Sequence, residues 1–322
     1  MPRVTVLMPA YNRERFVDEA IRSVVDQDFA DFELLIVDDG STDETPAILR
    51  EWAARDARIR VVTLPSNEGI PSALNAGLAV ASAPYIARLD SDDLMMPRRL
   101  AEQFAVLDAQ PDVILVSCAY ELMDVDGRTF ATWRGDEPHD VVVFLLNFYN
   151  IVGGGGQVMF RRDEVRNLGG YDVAFPSSED YELWSRMLRH GRIVTLPLVG
   201  VRQRDHGARS LSKYAGIKHA NWTKIMRGSL TRWLDREVTD AEIASLITVW
   251  RHDGVVDQAS LADRVMREAF ALFRGEGAGI ARRRIVKQWR EGAANWAKKG
   301  NRLEALRYRW RAFKWSFGGS SR

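Results

Sequence analysis

The acidic segment RLDSDD is the part of the sequence whose residue types point most directly to chemistry. Three of its side chains, Asp90, Asp92 and Asp93, are carboxylates within four residues of one another. Hard oxygen ligands at this density suit Mg²⁺ or Mn²⁺, and such an ion can in turn hold a diphosphate. The alternative is that these acids only oppose the positive end of the dipole of the helix that follows. The segment therefore predicts a divalent cation as cofactor.

Four strand–helix units position this segment and three other polar segments. Short apolar, β-branched runs alternate with segments whose apolar residues recur at helical spacing. The predicted strands are VTVLMPA (4–10), FELLIVDD (32–39), RIRVVTL (58–64) and PYIARLD (84–90). Alternating units of this kind predict a mostly parallel sheet covered by helices, with ligands bound at the carboxyl ends of the strands. The segments that follow these strands are PAYN, VDDGS, SNEG and RLDSDD.

Two common nucleotide-binding loops are missing from the sequence. The first strand–helix turn, PAYNRERF, contains no glycine, which argues against a dinucleotide-binding fold. The glycine run at 153–156 lacks the lysine and hydroxyl residue of a phosphate-binding loop. We interpret this run as a flexible lid over an acceptor, because glycine lets the backbone hinge or lie close to a ligand.

The order of elements changes in the second half of the chain. Beyond about residue 112 strands and helices stop alternating, and Asp126-Gly127 predicts a hairpin. From about residue 213 onward the patterns are helical. A chain of 322 residues buries a sizeable core without disulfides or metal staples. We therefore predict an α/β domain over 1–212 and a helical C-terminal region over 213–322.

Charge is distributed unevenly along the chain. Residues 280–322 contain thirteen Lys and Arg against two Asp and Glu, a local charge of +11 in a chain whose net charge is +1. The acidic remainder argues against a general nucleic-acid binder, so no nucleic-acid partner is predicted. In the basic tail one helical stripe is apolar and consists of Leu303, Leu306, Trp310, Phe313 and Phe317.

This tail permits two interpretations. We favour a helical hairpin, turning at residues 299–301, whose apolar stripe docks on the rest of the protein or on a second copy, because ordinary proteins bury such stripes. The alternative is a basic amphipathic helix that lies on anionic lipid. The longest apolar run, at 141–152, is shorter than the roughly 20 residues of a membrane helix, and the N-terminus lacks a signal-peptide layout. The predicted location is the cytoplasm, with peripheral contact at the inner face of the membrane as the alternative.

Five motifs taken together resemble the family-two inverting glycosyltransferases with the GT-A fold. They are PAYN, VDDGS, NEG, ARLDSDD and SSEDYELW, in this order over about residues 1–212. The resemblance implies a GT-A catalytic domain with a Rossmann-like central sheet, in which 1–110 bind the nucleotide-sugar and 111–212 the acceptor. It also implies transfer of a sugar from a nucleotide-diphospho-sugar, in our interpretation a UDP-sugar, to an acceptor hydroxyl in polysaccharide or glycoconjugate synthesis.

The resemblance assigns the donor site residue by residue. Tyr11 would lie against the uracil and Asp39 would bond the edge of the base, since a flat aromatic and a carboxylate suit a base that presents an N–H. Asp92 is the implied metal ligand, Asp90 reaches the ribose or a water on the metal, and Asp93 is expected to cap a helix. The other residues implied at the donor site are Pro9, Ala10, Asn12, Asp38, Asn67, Arg88 and Ser91.

The resemblance also implies the catalytic base and the acceptor site. The base is Asp180, and Glu179 orients it or binds acceptor. In the late loop RDHGARSLS, His206 is implied as a further metal ligand and Arg209 as a phosphate ligand. The acceptor, a sugar, a lipid-linked sugar or a protein, is expected to contact Gly154, Gly155, Gln157, Glu179 and Trp184. A homodimer is left open.

Two other functions fit the sequence less well. A sugar nucleotidyltransferase would begin with a glycine-rich loop followed by basic residues, and PAYNRE is not such a loop. A catalytically inactive sugar-nucleotide-binding or scaffolding module would need neither Asp92 nor Asp180. A metal-dependent inverting glycosyltransferase is therefore the favoured interpretation.

Overall fold

The computed structural model describes residues 1–135, 137–206, 208–251 and 259–317, with the backbone alone for 208–215, 251 and 317. Its strands are Val4–Ala10 (β1), Phe32–Asp38 (β2), Ile59–Thr63 (β3), Tyr85–Arg88 (β4), Leu94–Met95 (β5), Val113–Met123 (β6), Thr129–Trp133 (β7), Met159–Arg161 (β8) and Arg192–Arg204 (β9). Its α-helices are Val17–Val25 (α1), Thr45–Arg55 (α2), Ile70–Val80 (α3), Arg99–Ala109 (α4), His139–Leu145 (α5), Arg162–Asn167 (α6), Glu179–Met187 (α7), Ala208–Leu234 (α8), Asp240–Arg251 (α9), Ala259–Ala271 (α10), Ala278–Lys298 (α11) and Arg302–Phe317 (α12). One turn of 3-10 helix covers Gly155–Gln157.

The strands form one sheet in the order β3-β2-β1-β4-β8-β6-β9-β5, and β7 pairs with β6. Strands β1 to β4 pair in parallel, as do β6 and β9, whereas β8 runs antiparallel between β4 and β6. The predicted GT-A type of fold, with a mostly parallel central sheet and C-terminal helices, is confirmed. Because β1, β2 and β4 are neighbours, the polar segments after their carboxyl ends lie side by side at one edge of the sheet.

Burial explains why the central strands have continuous apolar sequences. Every residue of β1 and β2 is buried, so both read as continuous apolar runs instead of alternating ones. The buried charged residue Arg99 stabilises the strand ends, because its Nη2 donates to the carbonyl oxygens of Arg88 at 2.7 Å and Val158 at 3.2 Å. These bonds join β4 to the loop before β8.

Gly40, directly after β2, allows two loops of the sheet edge to approach closely. Its φ is +70°, and a Cβ there would lie 2.6 Å from the backbone carbon of Ser66. We expect Gly40→Ala to lower the free energy of unfolding by about 3 kcal/mol, from left-handed strain plus a backbone clash. Gly127→Ala is the matched control, since Gly127 has φ +83° and no atom within 4 Å of the added Cβ. Its cost should be about 1 kcal/mol. Equal losses in urea denaturation would contradict the role of the clash.

The chain divides into two compact units. The sheet unit comprises Met1–Asp136 and Val152–His219, and the helical unit comprises Glu137–Ile151 and Ala220–Arg322. This division differs from the single predicted boundary at residue 212, because the segment Glu137–Ile151 from the middle of the chain belongs with the C-terminal helices.

Apolar packing explains why this middle segment belongs to the helical unit. The ring of Phe144 in α5 lies 5.4–6.2 Å from the rings of Trp233, Phe270 and Phe273. Phe148 stacks on Trp250 at 5.3 Å. A run as apolar as VVVFLL predicts burial, but its sequence does not say which partner covers it.

Helices α11 and α12 form the predicted hairpin, with Gly300 at φ +78° in the turn. In the part of the chain that the structure describes, the apolar stripe of α12 is not buried, so the prediction that it docks on the rest of the protein was wrong, whereas docking on a second copy stays a prediction. Leu303, Leu306, Trp310 and Phe313 are 52–61% exposed, and the side chain of Phe317 lies outside the described part. The buried face of α12 consists of Glu304, Ala305, Tyr308, Ala312 and Trp315.

There is a physical reason why α12 buries this face and not its apolar stripe. Tyr308 packs on Trp289 with ring centroids 5.0 Å apart, and Trp315 Nε1 donates to Asp263 Oδ1 at 2.7 Å. Amphipathic aromatics therefore occupy the interior, where Trp315 has its N–H bonded, and the small alanines let the two helices approach.

No helix in the described ranges is long and apolar enough to cross a membrane.

Candidate active site

The ends of β1 and β2 form the first part of the site. Ala10 pairs with Asp38 in the sheet, and Pro9 and Ala10 are buried. The chain then turns outward, so that Tyr11 is 39% exposed and Asn12 adopts φ +50°. An exposed ring beside buried strand ends is available to stack on a flat ligand.

Both carboxylates of the VDDGS segment are used to hold loops. Asp38 Oδ1 accepts the N–H of Ser41 at 3.1 Å. Asp39 accepts the N–H groups of Glu68 at 2.8 Å and Gly69 at 2.9 Å, which fixes the loop that carries the exposed Asn67. The structure thus gathers the predicted base-binding residues at one edge, with Asp39 ordering the loop beside Tyr11.

The acidic loop after β4 brings Asp92 to His206. The Nε2 of His206 lies 2.8 Å from Asp92 Oδ2, and Arg13 Nε lies 3.1 Å from the same oxygen. Burial by itself would raise the pKa of Asp92, but the bond to His206 and the charge of Arg13 outweigh it and lower that pKa. Asp92 is therefore a charged carboxylate at neutral pH.

The donor atoms available to a divalent cation are few. Within the ranges that the structure describes, no group of three or more His, Cys, Asp or Glu side chains could hold a metal ion. The third predicted ligand, Asp90, is not gathered with Asp92 and His206, because its Oδ1 accepts from Arg88 at 3.1–3.2 Å. Asp92 Oδ2 and His206 Nε2 lie within 2.8 Å of each other, and a carboxylate oxygen and an imidazole nitrogen are both donor types that would suit Mn²⁺. The residues fit a cation that takes its other ligands from a diphosphate and water.

Asp93 does not cap a helix as expected. It is buried, and its Oδ1 accepts the N–H of Arg204 at 2.8 Å. Burial, together with the charges of Asp92 and Asp90, raises the pKa of Asp93. Arg204 also donates to the carbonyl oxygen of Asp92 at 3.0 Å. Asp93 thus ties the acidic loop, where Ser91 is also buried, to the end of β9.

Arg88 connects the acidic loop to the start of α7. Its guanidinium is buried, with Nη2 3.1 Å from Asp90 Oδ1 and 3.0 Å from Glu179 Oε1. Its Nη1 is buried and has no hydrogen-bond partner in the described part of the chain. A cation between two carboxylates stabilises both as charged groups.

Asp180, the neighbour of Glu179, is the carboxyl group with the strongest functional signature. Burial and the charge of Glu179 raise its pKa to about 7, against the opposing charge of Arg88. Its Oδ1 accepts the N–H of Tyr181 at 2.6 Å, which fixes it at the first turn of a rigid helix. A carboxyl group poised near neutral pH at the edge of such a site is suited to general acid–base work.

We predict a lid for the glycine run, but the structure packs two of its four residues into the interior. Gly155 and Gly156 are buried in the 3-10 turn. A Cβ on Gly155 would lie 2.0 Å from Arg88 Nη1, and one on Gly156 would lie 3.3 Å from Asp93 Oδ2. Glycine is needed here because the backbone packs directly against the charged network.

Two of the predicted acceptor residues lie in the core instead. Gln157 and Trp184 are fully buried. The Nε2 of Gln157 donates to the carbonyl oxygen of Val152 at 3.1 Å, and Trp184 Nε1 donates to that of Gly153 at 3.3 Å. Both side chains hold the glycine segment in place and are closed to an acceptor. Gly154 is half-buried at the end of this segment and stays a candidate for acceptor contact.

The sequence analysis missed two basic residues of the site. Arg13, directly after the PAYN motif, contacts Asp92, and Arg204 lies two residues before His206. The sequence offered one sign for each of them, namely that it lies beside a motif already assigned to the site. The side chain of Arg209 lies outside the described residues, so its predicted phosphate contact stays a prediction.

A mostly parallel sheet whose carboxyl edge gathers an exposed aromatic ring, an acidic loop and a pair of carboxylates at the start of a helix has the architecture of the GT-A glycosyltransferases. The sequence profile of Glycosyl transferase family 2 matches residues 5–169, half of the chain, and the chain belongs to this family of enzymes. The O-antigen biosynthesis glycosyltransferase WbnJ of Escherichia coli is 30% identical over 186 residues, covering 58% of this chain and 71% of WbnJ.

Two solved structures share the fold. Residues 1–349 of TarS from S. aureus, in complex with UDP-GlcNAc, match with a TM-score of 0.60 and 17% identity, covering 100% of this chain and 93% of that one. The mannosyltransferase PcManGT of Pyrobaculum calidifontis, in complex with GDP-Man and Mn²⁺, matches with a TM-score of 0.53 and 20% identity, covering 99% of this chain and 88% of that one.

Proposed function

We propose that this enzyme transfers a sugar from a UDP-sugar to an acceptor hydroxyl by a single inverting displacement that depends on a divalent cation. The observation that carries the proposal is Asp180, whose pKa of about 7 suits it to accept a proton at neutral pH. It belongs to the same charged network as the acidic loop, through Glu179 and Arg88.

In this proposal Asp180 acts as general base. It takes the proton of the acceptor hydroxyl as the hydroxyl oxygen forms a bond to the anomeric carbon. The bond from that carbon to the diphosphate oxygen breaks, and UDP leaves with the electron pair. Because the attack comes from the face opposite the leaving group, the configuration at the anomeric carbon is inverted.

Arg88 and Glu179 position the reacting groups. The 3.0 Å ion pair of Arg88 with Glu179 fixes the start of α7, and its bond to Asp90 fixes the acidic loop. A shift of Arg88 would therefore move the base and the donor-binding loop together. Such coupling holds the acceptor oxygen and the donor carbon in reach of each other.

The donor site would be built from the strand ends. The exposed ring of Tyr11 offers a stacking surface for a base, next to the loop that Asp39 orders. Asp92 and His206 would hold Mn²⁺ or Mg²⁺, which supplies Lewis-acid stabilisation to the departing diphosphate. The UDP-GlcNAc bound by TarS and the Mn²⁺ bound by PcManGT support this choice by shared fold. The name of WbnJ suggests an acceptor in cell-surface polysaccharide synthesis.

A donor screen tests the proposal directly. Purified protein with Mn²⁺ is incubated with UDP-, GDP-, dTDP- and CMP-sugars and simple sugar acceptors, and release of free nucleotide is measured. We expect turnover with a UDP-sugar, and NMR of the product should show the anomeric configuration opposite to that of the donor. A product of retained configuration would contradict the mechanism. Binding without turnover under all conditions would favour the inactive-module alternative.

A further inference from the structure

Helix α12 presents a continuous apolar surface to the solvent. The stripe of Leu303, Leu306, Trp310 and Phe313 follows the helical repeat, and each side chain is more than half exposed. The rings of Trp310 and Phe313 stack at 5.4 Å, so they form one surface. Exposed apolar residues normally occur singly, and four large ones in a row indicate a binding surface.

Basic side chains border this stripe on both sides. At about 100° per residue, Arg302 and Arg309 lie along one border and Arg307 and Lys314 along the other, and all four are exposed. The one acidic residue of the helix, Glu304, is 2% exposed and pairs with Arg307, whose own side chain stays 48% exposed, so the other three cations meet no acid on this helix. Long cationic side chains beside an apolar stripe can extend to anionic groups while the stripe enters an apolar phase.

A basic cleft adjoins the end of the stripe. It has a volume of about 380 Å³ and is lined by Arg282, Arg283, Val286, Lys287, Arg290, Glu291 and Ser316. Ser316 follows Phe313 by three residues on the helix, so the two are neighbours on its surface. The cleft therefore offers cations next to the apolar surface, as binding of a phosphate headgroup requires.

We propose that this surface of the α11–α12 hairpin, which we call the lipid face, lies on a membrane that contains anionic phospholipids. The apolar stripe enters the boundary between headgroups and acyl chains, and the bordering cations and the cleft contact lipid phosphates. Charge complementarity favours this occupant over a second copy of the chain. Two lipid faces packed together would bring like-charged arginines and lysines into contact.

Vesicle binding by the full-length protein tests the proposal. The probes are phosphatidylcholine vesicles with and without phosphatidylglycerol, and co-sedimentation is measured at increasing salt. We expect binding to the anionic vesicles that weakens with salt, since the surface potential acts within a Debye length. The double variant Leu306→Glu, Trp310→Glu should bind at least about tenfold more weakly. Its melting temperature should not fall, because both side chains are exposed.

A matched double variant controls for net charge. Val80→Glu with Leu272→Glu adds the same two negative charges at exposed apolar residues outside the lipid face. It should bind vesicles like the unmodified protein. The proposal is overturned if the unmodified protein ignores anionic vesicles, or if both double variants lose binding equally. It is also overturned if sedimentation velocity shows that the unmodified protein is a dimer, that only the Leu306→Glu, Trp310→Glu variant dissociates, and that neither protein binds vesicles. Nucleotide-sugar binding plays no part in these readouts.

Discussion

Replacing Asp180 by asparagine is expected to leave UDP-sugar binding intact and to slow sugar transfer about 10²–10⁴-fold. Asparagine keeps the size of the side chain and can accept the N–H of Tyr181, so α7 should begin at the same place. It has no site that can take the acceptor proton at neutral pH. The loss should therefore appear in kcat, while the Kd for the donor measured by calorimetry changes little.

The pH dependence of transfer should identify Asp180 as the group that titrates. Its pKa is raised to about 7, so the charged form that acts as base is lost as the pH falls through that value. In the unmodified enzyme kcat/KM should rise about tenfold per pH unit below pH 6 and level off above about pH 8. In the Asp180→Asn variant the residual kcat/KM should not show this rise with pH.

Asp163→Asn provides the matched control for Asp180→Asn. Asp163 is an exposed aspartate near the start of α6 in the same unit, and its loss should leave both the rate and the pH profile unchanged. Transfer by Asp180→Asn within about threefold of normal would remove Asp180 from the role of base. In that case Glu179→Gln is the next variant to measure.

Replacing Asp92 by alanine should abolish the tightening of UDP binding by Mn²⁺. Asp92 is the charged carboxylate that meets His206, and without it a cation would retain His206 alone. Calorimetric titration of UDP with and without Mn²⁺ measures the effect as the ratio of the two Kd values. We expect a ratio of at least about tenfold in the unmodified protein and near one in the variant, because such a cation is held by one or two carboxylates together with the phosphates of the ligand.

Two further variants define how specific the effect of Asp92 is. His206→Ala removes the other ligand and should reduce the Mn²⁺ enhancement only in part. Asp126→Ala removes an exposed carboxylate in the β6–β7 hairpin and should leave the enhancement unchanged. Equal Mn²⁺ enhancement in the unmodified protein and in Asp92→Ala would contradict the assignment of the metal ligand.

The N-terminal half of the fold was predictable from sequence because β1, β2 and β4 are buried along their whole length. The predicted VTVLMPA run coincides with β1, and the hairpin at Asp126-Gly127 is present, with Gly127 at φ +83°. Strand β9 was not predicted. Its thirteen residues include charged and half-exposed positions, so neither continuous apolar character nor alternation marks it.

The site was predictable where residue type decides the chemistry and unpredictable where packing decides it. Asp92 and His206 lie 114 residues apart in sequence, yet their side chains meet at 2.8 Å, and their role as metal ligands stays a prediction. Trp184 and Gln157 have side chains suited to a sugar, but both are fully buried, because the glycine segment needs their hydrogen bonds. Only tertiary contacts show whether such a side chain binds a sugar or supports the core.

The assignment of residues 137–151 to the helical unit affects how the chain folds as it is synthesised. Phe144 and Phe148 of this segment pack on α8, on Trp250, on α10 and on Phe273, all of which are translated later. At about 5–20 residues per second, Phe273 follows this segment on the order of 10 s later. During that interval the ribosome carries a chain with an uncovered apolar helix between two parts of the sheet unit. Until its partners are translated, this segment is exposed to aggregation through its apolar face.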